Sequence, residues 1–385
     1  MPTEVLVLGA GFGGLELTTR LSEEVADQVH VTLVDQSAWF AFGFSKLDVM
    51  FGRTPPESVR LYYRDIAKPG VDFRQEQVLS IDPAARRVVT SGGTYEADVL
   101  VVALGADLDP AATPGLAGGG HEFYSEEGAA HVRGVLEAFG GGDVVIGVLG
   151  GFFKCPPAPN EAALMLDAYL RTRGVRDAST IRLLSPLPMP IPISRQTSGE
   201  IIAALEARGI EYWPQSLVTH LDPAAKTAHV ADGRSLSYDL FLAVPVHRAP
   251  PVVEESGLTV DGWVPVDPST FETRFPGVFA VGDVTSAPVP RAGVIAEGEA
   301  GTVADVLISR LRSGSGGDEP EPYGGDAVCY IEMGDGTVAR VDVNFLRGPQ
   351  PTAVFHAPSL DITEEKRQFG AARRERWFGS SPSGR

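Results

Sequence analysis

The sequence predicts an α/β protein of two doubly wound lobes, the second inserted in the first, with a small C-terminal β-containing segment. Three observations predict it. The chain opens on a strand, a glycine loop, a helix, a second strand and an acid, in that order. A second strand–turn–helix–strand unit spans residues 143–184. Residues 275–283 then repeat the strand-and-glycine theme of residues 98–105, so pieces of one site are separated by an insertion.

Val5-Leu6-Val7-Leu8 is short, continuous and apolar, which reads as a buried parallel strand. Gly9-Ala10-Gly11-Phe12-Gly13-Gly14 follows, with glycine at the first, third and sixth places. Leu15, Leu17 and Leu21 carry the helical spacing, and His30-Val31-Thr32-Leu33-Val34 makes the next strand, ending at Asp35. Gly9 permits the tight turn. Gly11 lets the backbone approach a pyrophosphate, and Gly14 lets helix and strand pack closely, with the helix N-terminus facing the phosphates. Asp35 stands near the roughly 20-residue spacing of an acid that binds a ribose hydroxyl. The unit is that of a Rossmann-like, FAD/NAD(P)-binding lobe.

Residues 98–105 form another buried strand, ending in Gly105. Val278-Phe279-Ala280-Val281-Gly282-Asp283 belongs beside it. Arg291-Ala292-Gly293 follows and opens an Ala/Gly-rich helix over about 294–311. Within the insertion, residues 143–151 are strand and turn, about 160–173 helix, and 181–184 strand. Residues 217–244 read as a hairpin around Ala231-Asp232-Gly233-Arg234 plus a buried strand at 240–244. The expected division is 1–108 with 245–318 for the first lobe, 109–244 for the second, and 319–385 for the C-terminal segment. Ser313-Gly314-Ser315-Gly316-Gly317 makes the last connection. Beyond it, 328–332 and 338–345 alternate like strands around Asp335-Gly336.

Composition narrows the function. The chain has 385 residues, 43% hydrophobic and 21% charged, which excludes a disordered or fibrous protein. Its net charge of −18 argues against nucleic acid and against an anionic membrane surface as partners. No apolar run has the roughly 18–20 residues that cross a bilayer, and residues 1–4 lead straight into a strand without a secretory signal. A cytoplasmic protein is expected. The basic, aromatic stretch from Lys366 to Phe378 allows at most peripheral membrane contact. None of the seven histidines has metal-ligand spacing with another, so no metal is expected; His247, just after a strand, is singled out. Oligomeric state is not written in the sequence; a homodimer is the common prior.

With these elements in hand the chain resembles the two-dinucleotide-binding-domain flavoproteins. More narrowly it resembles the branch of sulfide:quinone oxidoreductases and of the flavoprotein subunit of flavocytochrome c sulfide dehydrogenase. The narrower resemblance rests on Phe153-Lys154-Cys155-Pro156-Pro157-Ala158-Pro159-Asn160-Glu161 and on Val328-Cys329-Tyr330. The chain's two cysteines both fall on that branch's redox positions. The resemblance implies FAD, its ADP part held by Gly9, Gly11, Gly14 and Asp35, with Phe12, Gly13, Gly105 and Gly282 also binding the cofactor and Asp283 hydrogen-bonding the ribityl chain. It places Arg291, Ala292 and Gly293 beside the pyrimidine end of the flavin. It implies a redox disulfide between Cys155 and Cys329, with Glu161 as proton carrier. A small sulfur substrate would be oxidised, and a quinone or an electron-carrier protein would take the electrons. At the start of a helix Cys155 is also expected to have a lowered pKa.

The chain departs from that branch in three ways. Trp39 to Ser45 contains no cysteine, so the FAD is expected to be non-covalent. Residues 121–125 lack a third cysteine, and Ala296-Glu297-Gly298-Glu299-Ala300 has Glu where relatives often have Gln. Two other functions stay open. One is an NAD(P)H-dependent reductase of quinones or disulfides, although Phe152, Phe153, Pro156 and Pro157 crowd the turn where a second phosphate would bind. The other is a flavin-bound redox sensor without turnover.

Overall fold

The computed structural model describes residues 2–313 and 321–379; the connection expected at Gly314–Gly317 lies outside them. The first sheet is parallel throughout. Its strand order is Val278–Ala280, Val99–Val102, Thr3–Leu8, Val29–Asp35, Val71–Gln75. Leu8 sits opposite both Val34 and Val102, so the glycine loop, Asp35 and Ala103 leave the sheet at one edge. This is the end of a parallel sheet where ligands bind, at the point where strand order reverses. Both faces are covered, which is why Val7, Leu8, Val31, Leu33, Val101 and Val102 are fully buried.

The second sheet is also parallel and comes wholly from residues 121–244. Its order is His121–Glu122, Leu240–Val244, Gly142–Val148, Ser179–Leu184, Ile210–Trp213. The two crossings between lobes pair with each other, Asp107–Asp109 running antiparallel to Val246–Arg248. Each lobe carries a three-stranded antiparallel sheet: Val78–Asp82, Arg87–Thr90 and Thr94–Glu96 in the first, and Val218–Asp222, Thr227–Val230 and Ser235–Ser237 in the second. The hairpin expected around Ala231–Arg234 is the last turn of the second of these.

The C-terminal segment is larger than the expected pair of strands. Asp326–Glu332, Val338–Asn344 and Thr352–Ser359 form an antiparallel sheet, and the helix Leu360–Phe378 follows. Along the first of these strands Ala327 and Ile331 are buried, with Cys329 between them on the same face. That face packs into one apolar cluster with Leu164 and Met165 of the helix Ala158–Thr172. The C-terminal helix docks on the first lobe. Trp377 is fully buried among Phe12, Phe40 and Phe42, and its Nε1 donates to Glu16 at 2.9 Å. Arg376 pairs with Glu16 and Glu23, each at 2.9 Å. The Arg376–Trp377 end of the basic, aromatic stretch is thus docked on the protein's own surface, while Arg367 and Arg374 stay exposed. Replacing Trp377 with alanine is expected to cost about 3–5 kcal/mol, read as a lower urea midpoint, because a large void opens in that aromatic cluster.

Candidate active site

A long cleft follows the switch point of the first sheet. Its two parts, of about 250 and 500 Å³, meet at Gly11, Ala103 and Gly105. The larger part is lined by Gly9, Asp35 and Gln36. The smaller part runs past Phe12 and Gly13 to Gly282, Asp283, Ala292 and Gly293, and ends at Lys46, Tyr124, Lys154, Cys155 and Glu161.

The glycine loop fits a dinucleotide. Gly9 has φ +99°, and a Cβ there would lie 2.3 Å from the Ala103 carbonyl oxygen. A Cβ on Gly14 would lie 1.9 Å from the Gly9 carbonyl oxygen, so only glycine lets the first helix, Phe12–Val25, sit this close to the strand. Gly14 itself does not line the cleft; its work is this close packing. At Gly11 a Cβ would meet nothing, because the position faces the open cleft. No side chain caps the helix start, which leaves its amides for a phosphate. Asp35 Oδ2 accepts from the Ala10 amide and Oδ1 from the Ser37 amide, both at 2.8 Å, which holds the carboxylate at the cleft wall.

Asp283 lines the inner part of the cleft and has no hydrogen-bond partner for its carboxylate among the described residues. Burial raises its pKa, opposed by the nearby charges of Lys154, Arg291 and Lys46. An unpartnered acceptor here suits the hydroxyls of a ribityl chain. Gly282 is held by Glu299, whose Oε2 accepts the Gly282 amide at 2.5 Å; burial pushes the Glu299 carboxyl up to about 8. In this way Glu299 supports the loop. Arg291 does not line the cleft. Its guanidinium stacks on Trp263 at 3.7 Å and donates from Nε to the Asp283 carbonyl at 2.9 Å. Its backbone carbonyl accepts the Cys155 amide at 2.8 Å. Arg291 thus ties the cysteine loop to the flavin loop, and Ala292 and Gly293 are the cleft-facing members of that turn.

Cys155 sits in a left-handed backbone conformation, φ +55°, which few non-glycine residues adopt. Its carbonyl accepts the Ala158 amide at 2.9 Å, so the prolines at 156 and 157 turn the chain sharply into the helix. Both cysteines are half-buried free thiols. The lowered pKa expected for Cys155 is overturned. Burial pushes the thiol up, the charges of Glu161 and Cys329 push it further, and the Ala158 amide at the helix start only partly opposes them. Burial, then Glu161, pushes Cys329 up to about 12. The Glu161 charge therefore acts on both thiols. It is 3% exposed, and its Oε1 accepts the Glu332 amide from the cysteine-bearing strand at 3.0 Å. Burial raises its pKa to about 7, against the lowering effect of Lys366 and of that amide.

The sequence profile of the family described as pyridine nucleotide-disulphide oxidoreductase matches residues 3–300. The chain belongs to this family. As a pyridine nucleotide-disulphide oxidoreductase it is an FAD-binding oxidoreductase, with the two-lobed fold expected of one. It is similar to the mitochondrial sulfide:quinone oxidoreductase of Mus musculus, 24% identical over 94% of this chain and 82% of that protein. It is also similar to the type II NADH:quinone oxidoreductase of Staphylococcus aureus (strain NCTC 8325 / PS 47), 25% identical over 95% of this chain and 98% of that one. In fold it matches the crystal structure of the sulfide:quinone oxidoreductase of Aquifex aeolicus, with a TM-score of 0.86, 22% identity and 98% and 93% of the two chains covered.

In this oxidoreductase three cleft residues escaped the sequence reading. Lys46 donates to the Tyr124 carbonyl at 2.7 Å, and burial lowers its pKa to about 8. Lys154 donates to the Ala106 carbonyl at 3.1 Å. Lys154 adjoins the cysteine in sequence and was within reach; Lys46 and Tyr124 carry no local signal. His247 lies outside the cleft lining. Its Nδ1 faces the Pro245 carbonyl at 2.9 Å, Nε2 is buried without a partner, and burial lowers its pKa to about 4, so it is neutral. Among the described residues no group of side chains is arranged to hold a metal, and no helix is long and apolar enough to cross a membrane.

Proposed function

We propose that this oxidoreductase oxidises a small sulfur nucleophile, sulfide or a persulfide, at a Cys155–Cys329 disulfide and delivers the electrons to a quinone or an electron-carrier protein. The observation that carries the reading is that Cys155 and Glu161 line the inner end of the cleft and that the strand bearing Cys329 is bound to Glu161 through the Glu332 amide. The similarity to proteins named sulfide:quinone oxidoreductase supports it.

Hydrosulfide attacks one sulfur of the disulfide. A sulfur–sulfur bond forms to give a persulfide, the Cys–Cys bond breaks, and the other cysteine leaves as thiolate. A leaving thiolate in this buried setting is costly, since burial raises both thiols. Glu161, with its pKa near 7, is placed to give that sulfur a proton and to take one back from the more acidic persulfide. The φ of Cys155 and its tie to the Arg291 carbonyl fix the sulfur at the cleft end. Bound non-covalently in the cleft, FAD supplies a two-electron acceptor. Each hydrosulfide oxidised to neutral sulfur releases one proton and two electrons. We place the reaction in the cytoplasm, with peripheral membrane contact at most; of the C-terminal helix's basic side chains, Arg373 and Arg376 are spent on Glu297, Glu16 and Glu23, while Arg367 and Arg374 stay exposed.

The relative named type II NADH:quinone oxidoreductase favours a second reading, reduction by NADH. Against it stand the exposed Phe152 and the prolines at 156 and 157 in the second lobe's turn. An anaerobic titration of the flavoprotein separates the two. Sulfide is expected to bleach the flavin absorbance or raise a long-wavelength charge-transfer band, with no change from NADH in a parallel cell. Bleaching by NADH alone overturns the sulfur reading. Bleaching by sulfide without turnover on any quinone or carrier protein points to a sensor.

A further inference from the structure

Two ammonium groups at the inner end of the cleft have no carboxylate partner among the described residues. Lys46, on the short helix Ser45–Met50, and Lys154 are half-buried there beside Tyr124, Cys155 and Glu161. The chain's lysine ion pairs are made by Lys226 and Lys366 instead. Each cleft ammonium spends one donor on a backbone carbonyl, Lys46 on Tyr124 at 2.7 Å and Lys154 on Ala106 at 3.1 Å. The remaining donors are free for a ligand. The acids whose charge reaches Lys46 from the neighbouring helix are engaged elsewhere. Glu126 pairs with Arg60 at 2.5 Å and accepts from Trp39 Nε1 at 2.8 Å. Glu122 accepts the Tyr124 and Ser125 amides at 2.7 and 2.9 Å.

Geometry ties the two lysines to the sulfur centre. Tyr124, whose carbonyl holds Lys46, brings its hydroxyl to the Cys155 carbonyl at 3.5 Å. Lys154 directly precedes Cys155 in the chain. Neither lysine lines the outer part of the cleft with Gly9 and Asp35. Holding an unpaired cation out of water is costly, and the two lysines also repel each other. An anion in the cleft would relieve both costs.

We propose that Lys46 and Lys154 form an anion-binding site at the cysteine end of the cleft, and that the sulfur nucleophile is received there as an anion. That the anion carries sulfur rests on the reading above. Hydrosulfide, rather than neutral hydrogen sulfide, is the form bound, and other small monoanions compete with it.

The groups around Lys46 fix the pH response. They are Lys154 and Cys155 in the cysteine loop, Glu122 and Glu126 at the start of the helix Glu126–Ala138, Asp283 after the last strand of the first sheet, and His247 on the crossing strand. Burial, then the charge of Lys154, lowers the Lys46 pKa to about 8. Lys46 is thus charged at neutral pH and loses its charge as pH rises through that value.

The experiment titrates the oxidised holoenzyme with sodium azide, an unreactive monoanion, and follows the flavin absorbance. Oxidised flavin is uncharged, so the titration reads the site and not the charge of the reduced cofactor. Azide should bind saturably, and more weakly as pH rises above about 8. Lys46→Met should weaken it at least about tenfold, the loss expected of one charge-assisted hydrogen bond. Lys46→Arg should keep the affinity and lose the pH dependence, because a guanidinium stays charged. The sulfide concentration that gives half the maximal bleaching rate should rise in Lys46→Met by the same factor as for azide. The pH arm needs no variant, and the flavin-to-protein ratio checks that each variant is folded. Azide affinity that is unmoved by pH and by Lys46→Met overturns the site. A lowered flavin midpoint potential in that variant, with azide affinity unchanged, also overturns it, since the charge would then serve the reduced cofactor. If azide behaves as expected but sulfide bleaches nothing, the anion site stands and the sulfur reading falls.

Discussion

Serine at Cys155 or at Cys329 should leave a folded, flavin-containing protein that sulfide no longer bleaches, with a loss of at least about 10³-fold in the reduction rate. The reasoning is chemical. A hydroxyl cannot form the sulfur–sulfur bond that hydrosulfide must attack, and one remaining thiol cannot form it alone. The two residues act as a unit, so each single variant and the double variant should lose about the same amount. The substitution is nearly isosteric at half-buried positions, so flavin content and melting temperature should stay close to the parent. Anaerobic stopped-flow absorbance checks the rate, and the flavin-to-protein ratio checks the fold. A single variant that still bleaches at the parent rate would sink the two-cysteine mechanism. If NADH were the true reductant, NADH-driven bleaching would survive both substitutions.

The second large effect is expected at Gly14. The methyl group of Gly14→Ala would sit 1.9 Å from the Gly9 carbonyl oxygen, inside the contact that lets the first helix rest on the first strand. The helix must move away and carry the phosphate-facing amides with it. The protein should lose about 1–3 kcal/mol of stability or more and be recovered without flavin. Gly11→Ala is the informative partner. Its methyl would meet no protein atom and would project into the cleft. That variant should keep its urea midpoint and yet bind flavin poorly. Equal flavin content in the two variants and the parent would show that the loop is not the cofactor's cradle.

Some of this was legible in the residues and some was not, for physical reasons. The glycine loop was legible because its demands are local: a tight turn, a close approach and a helix start within six residues. The insertion was legible because strands 98–105 and 275–283 repeat one theme at a distance. Two pieces of sheet escaped. The strands between Val78 and Glu96 and the edge strand Thr352–Ser359 are largely exposed, so their alternation is weak, and Pro358 interrupts the latter. The Cys155 pKa was misread because a helix start is visible in sequence and burial is not. Lys46 was invisible as a cleft residue and Lys366 as a charge acting on Glu161, for each arrives from an element more than 100 residues away.

The bond from Trp377 to Glu16 joins residues 361 positions apart. Such a contact closes only after residue 377 has emerged from the ribosome, and the strand with Cys329 and the helix with Lys366 emerge just before it. The first lobe's last strand, Val278–Ala280, emerges earlier. Synthesis from the N-terminus therefore sets an assembly order. The dinucleotide cradle is complete on the nascent chain before Cys329 is made, so the proposed two-cysteine centre can form only after the first lobe's sheet is in place.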